Sequence, residues 1–270
     1  MIELRSFESL GKANLGWLNA NHHFSFGHYR DAQRMNWGRL RVWNDDEIAP
    51  GKGFDPHPHR DMEIITYVRQ GAITHKDSMG NEGRTEAGDV QVMSAGTGVV
   101  HSEFNLEPGV TTLFQIWIMP DRTGLPPSWG AKQFPKEKRE AGFEVLASGR
   151  ASDAGSGALG INVDGAVMAA TLAKGQSLTQ KLAEGRAAYL VLARGSVEVN
   201  GVAASARDGL AIRAEPAITA PSTLIGSAPK PASAGRPEAK TSKPASRFSL
   251  GNCFAPQDGG RPVRSGMIQI

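Results

Sequence analysis

Short β-branched and aromatic runs, each bounded by Gly, Pro or Asp, recur along most of this chain. A first set occupies residues 40–43, 63–68, 90–93 and 112–118, and a second set residues 167–172, 188–192, 196–200 and 210–212. With 32 glycines among 270 residues and only 7% aromatics, turns are plentiful and an all-β architecture is predicted. Asn200-Gly201 is a strong hairpin signal. The two sets share a faint repeat: residues 67–71 and 191–195 each carry a strand into a turn glycine, and 88–92 and 208–212 follow each of them. Two similar small β-barrels in tandem fit this better than one sandwich.

Composition divides the chain further. Residues 1–125 are predicted to form the first barrel, 126–148 an irregular connector rich in Pro, Lys and Glu, and 149–220 the second barrel. Residues 221–270 are dominated by Pro, Ala, Ser and Lys, which bury too little surface to offset their ordering entropy; a disordered tail is expected. Its end, Met267-Ile268-Gln269-Ile270, could add a short strand. The tail also explains the charge. Residues 228–270 carry seven Lys or Arg against Glu238 and Asp258, so the whole-chain net charge of +3 leaves −2 for residues 1–227. A basic tail on a mildly acidic body argues against a nucleic-acid surface. No stretch reaches the roughly 18 apolar residues of a membrane span, and the first residues lack the apolar core of a signal peptide. A single cysteine, Cys253, excludes an intrachain disulfide framework and a Cys-based zinc cluster. A cytoplasmic protein is expected.

All seven histidines lie at or before residue 101. Two i, i+2 pairs stand out: His57-Pro58-His59 and His101-Ser102-Glu103. On a strand such pairs share a face, and on a helix they diverge by roughly 200°. Pro58 decides for the strand, because the residue before a proline is pushed out of the helical region. Three imidazoles and a carboxylate on neighbouring strands can meet at one divalent metal, at about 2.0–2.2 Å per ligand. Imidazole with carboxylate suits Fe, Mn, Ni, Cu or Zn. Four ligands on a six-coordinate ion leave two positions for substrate and dioxygen or water. Other candidates read as structural. Ala95-Gly96-Thr97-Gly98 is a tight turn, lacking the strand–GxGxxG–helix context of a phosphate cradle. His22, His23 and His28, near Trp17, Phe24 and Phe26, read as core or pocket wall, and His75 as the surface of a hairpin. No GxSxG elbow or CxxC motif is present.

The segment from Gly51 through His57-Pro58-His59-Arg60-Asp61-Met62-Glu63 to Gly71 resembles the first cupin motif, and Gly88 through His101-Ser102-Glu103 to Asn105 the second. Ser94, where cupins usually carry proline, and two extra residues before His101 make these runs similar to the pirin-like bicupins. His23-Phe24-Ser25-Phe26 and the loop 75–81 resemble that family too, over about residues 1–218 in all. The resemblance implies two tandem jelly-roll-like cupin barrels and one divalent metal, Fe(II) first with Ni, Mn, Cu or Zn as alternatives, held by His57, His59, His101 and Glu103. Glu63 would instead be held by a neighbouring Arg or Lys. Lys181 and Ala183 stand where the second barrel would need histidines, so one metal per chain is expected. The implied activity is that of a quercetin 2,3-dioxygenase, which opens a flavonol ring with O₂ and releases carbon monoxide. Glu103 would double as the base for the flavonol hydroxyl, and Met62, Phe104 and Phe114 would wall the pocket. The alternative is a non-enzymatic regulatory or redox-sensing protein with a protein partner. The resemblance fades near Ile218-Thr219, which predicts an open edge where a closing strand of the second barrel is missing.

Overall fold

In the computed structural model, residues 1–134, 139–140, 142–173, 175–221 and 263–269 are described. Among them the chain is strand, apart from turns, irregular connections and short 3-10 segments such as Phe7–Ser9 and Ala151–Asp153. The first barrel pairs two sheets. One has seven strands in the order Ser128–Lys132, Val90–Ser94, Glu63–Gln70, Thr111–Ile118, Leu40–Ile48, Leu18–His22 and Gly11–Asn14. The other has four, in the order Gly53–His59, Val99–Phe104, Ala72–Asp77 and Glu82–Glu86.

Strict alternation gives the seven-stranded sheet two working faces. Leu18, Ala20, Ile48, Val68 and Leu113 point into the barrel, where they meet Ile73 of the other sheet. Their neighbours along the strands, Trp43, Ile65, Phe114, Ile116 and Ile118, point the opposite way and join Val167, Ala169, Tyr189, Val191 and Ala211 of the second barrel in one shared core. The sheet is therefore buried on both sides, and its central strands carry apolar residues on both faces.

The second barrel is built on a sheet of seven strands in the order Ile2–Arg5, Gly209–Arg213, Ala187–Val191, Val263–Gln269, Ala166–Leu172, Glu144–Ser148 and Leu159–Gly160. Two ribbons, Ser177–Lys181 with Ala217–Pro221 and Ser196–Val199 with Val202–Ser205, close over it. Their Val197, Val199 and Ile218 fill the interior together with Leu190, Leu210 and Ile212.

Three expectations change. The stretch 126–148 is strand at both ends: Ser128–Lys132 extends the first barrel's sheet beside Val90–Ser94, and Glu144–Ser148 pairs within the second. The N-terminal strand Ile2–Arg5 belongs to the second barrel's sheet, beside Gly209–Arg213, so the chain crosses between the barrels twice, after that strand and again before Glu144–Ser148. The open edge is absent, because Val263–Gln269 lies between Ala166–Leu172 and Ala187–Val191 and bonds both. The physical reason is backbone satisfaction: a one-strand gap inside a sheet leaves two rows of unpaired N–H and C=O groups, and an extended segment from the chain's end pairs with both. Residues 222–262 of the expected tail lie outside the described residues.

Candidate metal centre

The histidines meet because of cross-strand register. His57 stands directly opposite His101, and His59 opposite Val99, in the antiparallel pair of Gly53–His59 with Val99–Phe104. Opposed residues and those two further along share a face, so His57, His59 and His101 project together. One nitrogen or carboxylate ligand atom from each of the three lies within 4.8 Å of the others, and no other such group of three occurs among the described residues. Between His101 and Glu103 the register slips by a bulge, and Gly53 allows the strands to stay close: a Cβ there would lie 2.2 Å from the Glu103 carbonyl oxygen.

Each ring presents a free nitrogen. His57 Nδ1 bonds the Asp55 carbonyl oxygen at 2.7 Å and must be the protonated nitrogen there, which leaves Nε2 as a lone pair. That Nε2 lies 3.1 Å from His101 Nε2, the separation of two ligands subtending about 95° at an ion about 2.1 Å from each. His59 Nε2 is buried with no partner among the described residues. Burial, reinforced by His101 and His57, brings His59 down to about 4. Burial, with His57 and His75, brings His101 down to about 3. Both rings are thus neutral near pH 7, the form that binds metal. The donor set and its geometry fit one divalent cation.

The expected surface position of His75 is wrong. It is fully buried, its ring stacked on Trp129 at 5.0 Å between centroids and 11° between planes. The strand Ala72–Asp77 flanks Val99–Phe104 on the side away from His57 and sets His75 opposite Glu103 and Asp77 opposite His101. His75 Nε2 lies 3.2 Å from Asp77 Oδ2, and its Nδ1 lies 3.4 Å from His101 Nδ1. One tautomer set satisfies the chain: His75 Nε2–H donates to Asp77, His101 Nδ1–H donates to His75, and His101 Nε2 is left bare. Burial opposes ionisation of Asp77, but bonds from Asn81, His75 and Met79 outweigh it and hold the carboxyl below its ordinary value. The His75-x-Asp77 pair has the same i, i+2 spacing as the two motifs that were singled out.

Glu103 faces the same cavity but stands outside the group of three. Its Oε1 accepts from Gln91 Nε2 at 2.6 Å and Thr66 Oγ1 at 3.0 Å, and its Oε2 from Gln115 Nε2 at 2.7 Å. Three donors on the facing sheet therefore fix the carboxylate. The cavity, about 410 Å³, is walled by Trp17, Phe26, Phe54 and Trp117, with His22, Asn44 and Asp46 on the seven-stranded sheet. Met62, Phe104 and Phe114 are not part of that wall. Phe114 sits on the opposite face of its strand from Gln115 and packs toward the second barrel, and Met62 packs on Ile64 and Met93.

Of the remaining expectations, His22 lines the cavity and bonds Asn44, and His23 is buried against Tyr189 between the barrels. His28 is exposed instead, in the turn that follows Phe26. Glu63 is held by Ser94 at 2.6 Å and by Asn162 of the second barrel at 3.2 Å rather than by a cation, since it faces the interface between barrels. Ala95-Gly96-Thr97-Gly98 is a tight turn, with Gly96 and Gly98 at φ 45° and 138°. Lys181 is exposed at the end of its strand. A larger groove of about 830 Å³ beside Trp37, Arg186 and Arg213 lies at the second barrel, away from the histidines. Within its charged lining, Arg186 pairs with Asp164 and Glu215 with the N-terminal amine.

Two tandem jelly-roll barrels with a three-histidine site in the first define a bicupin of metal-binding type. Residues 3–118 match the family model for pirin, and residues 145–223 match that for the quercetinase C-terminal cupin domain. The chain belongs to the pirin family. PA1210 of Pseudomonas aeruginosa is 66% identical over 218 residues, covering 81% of this chain and 93% of its own. The quercetin 2,3-dioxygenase of Escherichia coli K12 is 43% identical over 222 residues, covering 81% and 93%. The crystal structure of the E. coli pirin YhhW in complex with nickel(II) superposes with a TM-score of 0.76 at 41% identity, over 82% of this chain and 94% of that one.

Proposed function

We propose that this protein is a metal-dependent quercetin 2,3-dioxygenase, acting on quercetin or a similar polyphenol with O₂ in the cytoplasm. The observation that carries the reading is the convergence of three imidazoles at one end of an aromatic-walled cavity, in a chain similar to a quercetin 2,3-dioxygenase over most of its length. His57, His59 and His101, with Glu103 as the fourth ligand, would hold one divalent ion, Fe(II) before Ni, Mn, Cu or Zn. When bound, that ion would supply a Lewis acid for a deprotonated phenolic oxygen and for redox chemistry with O₂.

The chain's own residues do the rest. Trp17, Phe54, Phe26 and Trp117 clasp flat aromatic rings and exclude water. Glu103 takes the 3-hydroxyl proton on a carboxylate oxygen, and Gln91 and Thr66 on one oxygen with Gln115 on the other keep the carboxylate in place while it does so. In this reading residues 1–125 carry the chemistry, 126–148 join the barrels, and 149–220 act as a scaffold without ligands of their own. The test is metal analysis of the purified protein with oxygen uptake on adding quercetin. One metal per chain and stoichiometric O₂ loss are expected, both abolished in His57→Ala. Metal without oxygen uptake on quercetin or related flavonols would refute the dioxygenase.

A further inference from the structure

The cavity has a polar side that the metal ligands do not supply. His22, Asn44 and Asp46 come from two neighbouring strands of the seven-stranded sheet, whereas all three ligand histidines come from the four-stranded one. His22 Nδ1 and Asn44 Oδ1 satisfy each other at 2.8 Å. Asp46 is different: it is 2% exposed, it lines the cavity, and its Oδ1 has no partner among the described residues. Its neighbours on that face are apolar, Ala20 across one strand boundary and Leu113 across the other. Leucine would fill such a position without leaving a buried oxygen unbonded. No hydrogen bond from protein reaches the Asp46 side chain among the described residues, so a partner for it has to come from the cavity that it lines, whose walls are aromatic.

We propose that Asp46 is the residue that selects the substrate: its carboxyl hydrogen-bonds a phenolic hydroxyl on the ring system held in the cavity, so that polyhydroxylated aromatics are taken in preference to aromatics of the same size without that hydroxyl. This inference rests on the flavonol reading above. It gives the cavity two points of attachment, the metal for the hydroxyl–keto edge and Asp46 for a hydroxyl elsewhere on the rings. A phenol can donate to a carboxylate or exchange bonds with a neutral carboxyl, so the contact exists in either state. Burial, with Asp45 and Glu103 nearby, pushes Asp46 well above the ordinary carboxyl range, against the opposing pull of Arg69. The neutral carboxyl can then donate as well as accept. A site built to bond a hydroxyl discriminates strongly against the analogue lacking it, because the protein group is left buried and unpaired.

The experiment titrates metal-loaded wild type, Asp46→Leu and Asp46→Asn with quercetin and with 3-hydroxyflavone, which keeps the chelating edge and lacks the other hydroxyls. Quenching of Trp17 and Trp117 reports binding, and metal content is measured on the same samples. Asp46→Leu is expected to lose about tenfold or more in affinity for quercetin, with 3-hydroxyflavone within about threefold of wild type and metal content unchanged. Asp46→Asn, which keeps a donor and an acceptor, should retain the preference. Equal loss on both ligands, no loss on either, or an Asn variant as weak as the Leu variant would overturn the assignment. Oxygen uptake is read in parallel. Quercetin binding without turnover overturns the dioxygenase while the Asp46 comparison still decides this proposal, and wild type that binds neither ligand overturns both.

Discussion

Asp45 ties the two barrels together through a buried ion pair, and replacing it with Asn measures that hold. The side chain is fully buried, on the face of Leu40–Ile48 that looks away from the cavity. Its Oδ1 accepts from Arg69 of the same barrel, and its Oδ2 accepts from Arg207 of the second barrel at 2.6 Å. Arg207 also reaches Glu47 at 3.0 Å and lies over the Phe7 ring, while Arg69 lies over Phe114. Asparagine keeps the volume but removes the charge, which leaves two largely buried guanidinium groups short of their counter-ion. Breaking one side of such a network costs about 3–5 kcal/mol. In a chain of this size each kcal/mol moves the melting temperature by about 2–4 °C, so Asp45→Asn should melt about 6–20 °C below wild type. Calorimetry of wild type, Asp45→Asn, Arg207→Gln and the double variant supplies the test. The double variant should lose less than the sum of the singles, since the second change removes a charge already stranded by the first. Metal content should stay the same, because the histidines sit on the other sheet. A single variant melting within about 2 °C of wild type, or strictly additive losses, would refute the latch.

Three further outcomes are expected. His75→Ala should weaken metal binding by about 10–100-fold in a chelator competition, because His101 loses the acceptor that fixes its tautomer; unchanged affinity would show that His101 orients itself. Burial, with Arg5 and other nearby cations, lowers His23 to about 3, so between pH 3 and 6.5 the unfolded chain carries a proton that the native one refuses. Stability is then full above about pH 6.5 and falls as the pH drops, by up to about 1.4 kcal/mol per pH unit, and His23→Gln should flatten urea melts compared at pH 7 and pH 5. Ending the chain at residue 221 removes Val263–Gln269, so amides of Ala166–Leu172 and Ala187–Val191 should exchange faster than in the full chain while the first barrel keeps its protection; equal protection would show that the sheet does not need that strand.

The ligand-bearing strands were legible because their chemistry is local. His57-Pro58-His59 states its own backbone conformation through Pro58, and His101-x-Glu103 has the period of a strand. His75-x-Asp77 carries the same period, but nothing in the sequence tells which edge of Val99–Phe104 the hairpin occupies; only the register that sets His75 opposite Glu103 turns a surface hairpin into a buried support. Cavity residues were misassigned for the same reason. Gln115 and Phe114 are adjacent in a run that is apolar on both faces, and periodicity cannot tell which face meets the cavity when both are buried. The pairing of Ile2–Arg5 with Gly209–Arg213 was out of reach too, because it joins residues about two hundred positions apart and no local pattern encodes that.

The contrast between the barrels shows why the chemistry is confined to one of them. In the second, Leu172, Leu190, Leu192, Val197, Leu210, Ile212 and Ile218 meet in an apolar core. In the first, the corresponding interior carries Asn44, Asp46, Thr66, Gln91, Glu103 and Gln115, all buried. Buried polar groups of that number are tolerable only when they are bonded to one another or to an occupant. Gln91, Thr66 and Gln115 find theirs in Glu103, and His75 and Asp77 find theirs beside His101. Beside Trp117 Nε1, what is left without protein partners at the cavity among the described residues is His59 Nε2 and Asp46 Oδ1. The His59 nitrogen and the Asp46 carboxyl mark where a metal and a hydroxyl of its ligand would complete the interior, and the apolar second barrel, packed on the far face of the seven-stranded sheet, backs the strand that carries Asp46.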